Sequence, residues 1–177
     1  PLQPYEDPLK WGSVVKAAEK NGQSHVDASQ VTWRNLLAHN SGLPAWRAFK
    51  DQPDAASARR LALETFFFYP TGTRVVYSDV GMILTGMGIE QVTGLSLDQA
   101  VNKLLLDPLE LVLTRYFPIA GGPYDLEKFA PTEFCKWRNR RVVGEVHDES
   151  TARLGGVAAH AGLFSNAQEV ARFGQLF

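Results

Sequence analysis

Cysteine is almost missing from this chain. Cys135 is the only one in 177 residues, so no internal disulfide can form, a thiolate metal site is excluded, and the thiol reads as a small, partly buried hydrophobe. Neither sign of charge dominates: 18 basic residues face 19 acidic ones, interspersed, for a net charge of −1, which leaves no electrostatic footprint for nucleic acid. Long hydrophobic runs are lacking as well, and no apolar stretch approaches the roughly 20 residues that span a bilayer. The sequence has no internal repeat, no low-complexity tract, no His-x-x-x-His pair and no Gly-x-Ser-x-Gly elbow. Nothing in it calls for a metal or an organic cofactor. An initiator methionine is also lacking: the chain starts at Pro1 and stops at Phe177 inside a helical run, with no glycine or proline to end it. This reads as a single partial domain, 1–177, truncated at both ends, and a signal peptide could precede it in the parent protein. What is present is 45% hydrophobic residues, enough for a packed core at this length.

The punctuation is mostly that of helices. Ser29 or Thr32 can cap a short helix carrying Leu36 and Leu37 that ends near Asn40 to Gly42, where Asn or Gly tolerates the left-handed conformation. Residues 54 to about 68 favour helix, with Ala58, Leu61, Thr65 and Phe66 on one face, and Pro70 forces a stop. Val80, Ile83, Leu84 and Met87 then recur at i, i+3, i+4, i+7, the spacing of a core-facing stripe, with Gly94 as terminator. Ser96 and Gln99 form a capping box ahead of Leu97, Ala100, Val101, Leu104 and Leu105. Ser165 and Gln168 repeat it ahead of Val170, Phe173 and Phe177. Between 118 and 156 the pattern loosens into glycine, proline and charge, which predicts irregular chain with a short extended run at Val142 and Val143 and one hairpin.

The most informative feature is Tyr77-Ser78-Asp79, set between the turn Pro70-Thr71-Gly72-Thr73 and the amphipathic run 80–93. It puts a phenol at a helix mouth, where the partial positive charge of the N-terminus favours an anion by up to about 2 kcal/mol in partly buried geometry. An unperturbed phenol titrates near pH ~10, so a base acting near neutrality also needs a nearby cation, usually a lysine. The same residues have a plainer reading, in which Ser78 or Asp79 is the N-cap and Tyr77 packs beneath it.

The surrounding residues carry a resemblance. Pro70-Thr-Gly-Thr-Arg-Val-Val-Tyr-Ser-Asp-Val-Gly-Met-Ile-Leu-Thr-Gly, followed by Val92-Thr93-Gly94 and Asp107-Pro108-Leu109, is similar to the serine beta-lactamase and penicillin-binding-protein superfamily, specifically its class C-like hydrolases and esterases. The stretch from Val31-Thr32-Trp33 through His39-Asn40-Ser41-Gly42-Leu43-Pro44 resembles the helix and loop between nucleophile and tyrosine motif in that family. Gly144-Glu145-Val146-His147-Asp148-Glu149 and His160-Ala161-Gly162-Leu163-Phe164-Ser165 resemble later segments of one branch. The resemblance implies an α+β, beta-lactamase/transpeptidase-like fold, of which this chain is mostly the helical lobe with few short strands. It also implies a periplasmic or extracellular location.

In that family a serine nucleophile followed three residues later by lysine, the tyrosine motif and a late Lys-Thr-Gly or His-x-Gly triplet converge. Residues three apart share a helix face, so the ammonium reaches the serine hydroxyl and also favours the phenolate. The resemblance makes Tyr77 the candidate general base and Asp79 its polar neighbour. Ser13-Val14-Val15-Lys16 is a formal Ser-x-x-Lys, but nine serines and seven lysines yield such matches readily by chance, and the run after Lys16 is too polar for a buried helix. His160-Ala161-Gly162 mimics the late triplet, yet Leu163-Phe164-Ser165 after it matches a pre-helix segment. His147, Asp148 and His160 could form a metal site or a His-Asp relay, against ordinary hydrogen-bonded loop residues. Arg138, Arg140 and Arg141 beside Trp137 could bind an anion, against a solvated basic loop.

Asp79 departs from the asparagine common at this position in beta-lactamases and peptidases. An amide both donates and accepts, whereas an ionised carboxylate only accepts, and an anion beside the phenol opposes phenolate formation unless a cation neutralises it. The resemblance implies acyl transfer through a serine acyl-enzyme on a small-molecule ester, D-alanyl peptide or beta-lactam-like amide, with esters favoured over beta-lactams because resembling esterases carry aspartate here, and with the piece inactive alone. A non-catalytic helical binding module, or a pseudoenzyme on the same scaffold, is the alternative.

Overall fold

Thr32 opens the first of the described helices by a reciprocal capping box: its hydroxyl accepts from the Asn35 amide at 3.3 Å while Asn35 Oδ1 accepts from the Thr32 amide at 2.9 Å. The computed structural model describes residues 31–117 and 125–177, and Ser13, Lys16 and Ser29 lie outside them. The element order is α1 (Trp33–Leu37), α2 (Ala55–Leu63), α3 (Asp79–Thr93), α4 (Leu97–Val101), β1 (Arg115–Tyr116), β2 (Phe134–Cys135), β3 (Arg140–Arg141), α5 (Glu149–Arg153), β4 (Leu163–Phe164) and α6 (Ala167–Gly174). Among the described residues, six α-helices and two short antiparallel pairs, β1 with β4 and β2 with β3, make this the expected α+β arrangement with helix predominant. The chain forms two units, Pro1–Thr85 and Gly86–Phe177.

In the first unit, Asp54 caps α2 by accepting from the Ser57 amide at 2.7 Å, and Ala58 and Ala62 are buried. The helix stops at Leu63, earlier than the predicted 68. Thr65 turns its hydroxyl back onto the Leu61 carbonyl at 2.6 Å, and the Gly42 carbonyl captures the Phe68 and Tyr69 amides at 2.7 and 3.3 Å. A tertiary partner for those two donors ends the helix before Pro70 does. Phe66, predicted on the buried face, is exposed for that reason. The α3 stripe is present at Val80 and Ile83, both buried, and Gly94 ends the helix in the left-handed region at φ +68.

In the second unit, Gln99 Oε1 accepts from the Ser96 amide at 3.3 Å, the predicted box at the head of α4. Residues Asn102–Leu106 continue as a π-turn, with the Asp107 amide reaching back five residues to the Asn102 carbonyl at 2.9 Å. That wider turn shifts the buried position to Leu106 and leaves Leu104, predicted as core, 61% exposed. The single hairpin expected in the loose region is β2–β3, in register Phe134↔Arg141 and Cys135↔Arg140, followed by the buried Val142. Cys135 is buried, as a small hydrophobe would be. An unpredicted helix, α5, comes next, capped by Asp148.

The last helix is capped one residue later than predicted. Asn166 Oδ1 accepts from the Glu169 amide at 2.9 Å, while the Ser165 hydroxyl pairs with that of Thr114 at 2.6 Å. The side of α6 that is buried carries Glu169, whose carboxylate accepts from the Leu113 amide at 2.9 Å and from the Thr114 hydroxyl. Val170, Phe173 and Phe177, predicted as core, are therefore on the outer side, at 58%, 36% and 98% exposure.

Candidate active site

The turn after α1 brings the first part of the site together. The Asn40 amide bonds to the Asn35 carbonyl at 3.0 Å and the His39 amide to the Leu36 carbonyl at 3.1 Å, the pair of bonds of a Schellman ending. His39 therefore occupies the left-handed position, at φ +55, where Asn40 or Gly42 was expected and where glycine is usual. From there the chain runs alongside the segment leading to α3. The Val76 amide donates to the His39 carbonyl at 2.7 Å, the Gly72 amide to the Asn40 carbonyl at 2.8 Å, the Thr71 hydroxyl to the Ser41 carbonyl at 3.1 Å and the Asp79 amide to the Ala45 carbonyl at 2.8 Å.

Tyr77, Ser78 and Asp79 lie at the end of that ladder. Ser78 is buried and is the N-cap: its hydroxyl accepts from the Gly81 amide at 3.0 Å and donates to the Pro44 carbonyl at 2.6 Å. Asp79 is the first residue of α3, where its carboxylate favours the helix dipole. Tyr77 is neither cap nor core. Its side chain is 62% exposed, and its ring lies 4.6 Å from that of His39, tilted by 38°. The Ser78 amide donates to His39 Nδ1 at 3.1 Å, which fixes that nitrogen as the unprotonated one and leaves the proton on Nε2. Burial holds the imidazole below its usual range, and the Asp79 charge partly offsets this. In the sequence His39 is one residue of a longer motif, with nothing to single it out for a role. The one available signal was a histidine, not a glycine, immediately after the last turn of a helix.

The other candidates are structural. His160 Nε2 lies 3.1 Å from both Asp148 Oδ1 and the Thr151 hydroxyl, and Asp148 also accepts from the Thr151 amide at 2.6 Å to cap α5. The His160 side chain is 3% exposed, and Gly162 after it sits at φ +110 with no room for a Cβ against the Gly156 carbonyl. His147 offers its carbonyl to Arg138 at 3.1 Å, and its Nε2 is 3.3 Å from Glu133 Oε1. Among the described residues no group of His, Cys, Asp or Glu could hold a metal ion. Arg138 is tied to the Val146 and His147 carbonyls, both at 3.1 Å, and Arg140 is paired with the Glu145 carboxylate at 2.6 and 2.8 Å. Those two guanidiniums are already engaged by the protein.

Asp148 gives a pH prediction. Burial works against its charge, but the bonds from His160 and Thr151 outweigh it and lower its pKa to about 2 from an ordinary 3.8. A depressed carboxylate contributes stability that is complete above its unfolded pKa and is lost as pH falls through the folded one. Urea midpoints of the wild type should therefore fall from about pH 4 to about pH 2 more steeply than those of Asp148→Asn, which keeps a capping oxygen but no titrating charge; equal slopes would remove Asp148 from the acid lability.

No single helix among the described residues is long and apolar enough to cross a membrane. The family model described as Beta-lactamase matches residues 5–177. An N-acetylmuramyl-L-alanine amidase of Bacillus subtilis (strain 168) is 36% identical over 157 residues, covering 77% of this chain and 35% of that protein. A putative D-alanyl-D-alanine carboxypeptidase of Escherichia coli (strain K12) is 32% identical over 157 residues, covering 77% and 36%. The chain thus spans about a third of the length of these curated relatives. In fold it is similar to a D-stereospecific amidohydrolase from Streptomyces sp. (TM-score 0.59, 19% identity, 94% of this chain and 57% of that one) and to a penicillin binding protein from Bacillus halodurans (TM-score 0.58, 17%, 94% and 55%). The motifs around Tyr77, the α+β fold with its helical lobe and the match over nearly the whole sequence agree, and the chain belongs to the Beta-lactamase family.

Proposed function

We propose that this chain is the part of a serine hydrolase that supplies its general base, Tyr77, with Asp79 as polar neighbour. The observation that carries the reading is the exposed phenol of Tyr77 at the N-terminus of α3, bracketed by backbone bonds on both sides, in a chain of this family. The serine and the ammonium group come from residues beyond those described. Tyr77 Oη, as phenolate, takes the proton of the serine hydroxyl while that oxygen attacks the substrate carbonyl carbon. The same proton passes to the leaving nitrogen or oxygen as its bond to carbon breaks, giving an acyl-serine; water then attacks that carbonyl carbon, Tyr77 takes its proton and passes it to the serine oxygen as the bond between acyl group and serine breaks, which restores serine and phenolate. A base at neutral pH requires the ammonium beside it, because the helix dipole alone does not stabilise a phenolate enough and the Asp79 carboxylate opposes it.

The substrate is a small ester or a D-alanyl amide. Support for the amide comes from relatives named amidase and carboxypeptidase; support for the ester comes from the acceptor-only carboxylate of Asp79. The test uses the full-length protein with p-nitrophenyl acetate, a D-alanyl-D-alanine peptide and a fluorescent penicillin. Turnover of the first or second, with an acyl adduct on a serine seen by mass spectrometry, is the expected result. No turnover and no adduct with any of the three would make the protein a binding scaffold instead.

A further inference from the structure

We propose that His39 is the positioning residue of Tyr77, clamping the backbone on either side of it and bracing the phenol with its ring. The inference rests on Tyr77 being the base. Three contacts carry it. The carbonyl of His39 receives the Val76 amide at 2.7 Å and its Nδ1 receives the Ser78 amide at 3.1 Å, so the residues before and after Tyr77 are both tied to one side chain and its own main chain. Its ring centroid lies 4.6 Å from that of Tyr77 at a 38° tilt, which limits where an otherwise exposed phenol can swing.

The conformation of His39 fits this use. It holds a left-handed backbone at φ +55 in the position where a helix ending of this type usually places glycine. A glycine there would make the turn without strain but would offer Ser78 no acceptor and Tyr77 no ring. Among the described residues, the ionisable groups that interact with the imidazole are Asp79, at the start of α3, and Tyr77 itself. While the imidazole is neutral, Nδ1 accepts from the Ser78 amide. Once protonated, it presents a donor to a donor and the bond is lost. Since burial lowers its pKa from the ordinary imidazole value, the clamp is intact at neutral pH and opens only in more acid solution.

Two substitutions separate positioning from mere folding. Asn tolerates φ +55, and its Oδ1 falls near the place of Nδ1 and accepts without titrating; Ala supplies neither acceptor nor ring. In the full-length protein, with p-nitrophenyl acetate and with the denaturation midpoint followed in parallel, His39→Ala should lower kcat by about 10- to 100-fold with KM little changed. His39→Asn should recover most of that loss and remove the part of the acid limb expected in kcat/KM that belongs to His39, leaving the part that belongs to protonation of Tyr77 itself. Wild-type kcat and an unchanged acid limb in both variants, alongside an inactive Tyr77→Phe protein, would overturn this inference and leave the base intact. An active Tyr77→Phe protein would overturn both. An acid limb in His39→Asn identical to that of the wild type would likewise assign the titration elsewhere and overturn the clamp.

Discussion

Tyr77→Phe is expected to lower kcat/KM of the full-length protein by about 10²- to 10⁴-fold, the usual contribution of a positioned general base, which corresponds to about 3 to 5 kcal/mol of barrier. The substitution removes one oxygen from a side chain that is 62% exposed, and it leaves the ring on which His39 rests. Fold and stability should therefore be unchanged, and the loss should appear in kcat more than in KM, since a base acts in the transition state and not in ground-state binding. Labelling by a fluorescent penicillin should slow in parallel, because forming the acyl-serine needs the same proton transfer. In a protein already lacking its nucleophilic serine, Tyr77→Phe should add almost nothing, as residues that act as a unit are far from additive. Activity within about threefold of wild type would leave Tyr77 a surface aromatic beside a well-capped helix.

The parts of this molecule that could be read from sequence are those set by short-range chemistry. Ser96 and Thr32 cap where a polar residue precedes an apolar periodic run, and Gly94 ends α3 because only the left-handed conformation closes that turn easily. What was illegible depends on partners distant in sequence. Residues 64–68 have helical composition, yet the Gly42 carbonyl, more than 20 positions away, takes the amides that would have continued the helix. Leu104 falls out of the core through a π-turn that no 3.6-residue period anticipates. The site divides in the same way. Tyr77 and Asp79 were visible as a motif at a helix mouth, whereas His39 became visible only when the fold placed its Nδ1 against an amide 39 residues later. Asp148 and His160 show the converse: residue types suited to catalysis, used here to cap a helix and to satisfy each other.

Gly42→Ala is expected to destabilise the protein by about 3 kcal/mol or more, the largest stability effect of any single substitution considered for this chain. Gly42 sits at φ +99, where an L side chain is strained by about 1 to 3 kcal/mol whatever the space around it. Space is lacking as well. A Cβ there would lie 2.0 Å from the Tyr69 carbonyl oxygen and 3.1 Å from its carbon, both backbone atoms that cannot rotate away as a flexible side chain would. Relief requires moving residues 68–69 off the Gly42 carbonyl, breaking the bonds from Phe68 and Tyr69 that end α2 and lead into the turn before Tyr77. Gly72 is the matched control, since it too has a positive φ, +81, but a Cβ on it meets nothing within 4 Å. Gly72→Ala should cost only the conformational penalty, about 1 to 2 kcal/mol. Urea unfolding with an unchanged m-value measures both. The molecules of Gly42→Ala that remain folded should also lose kcat, because the displaced strand carries the tyrosine, whereas Gly72→Ala should keep it. Equal midpoints for the two variants would mean that the 42–69 contact yields freely and does not hold the approach to α3 in place.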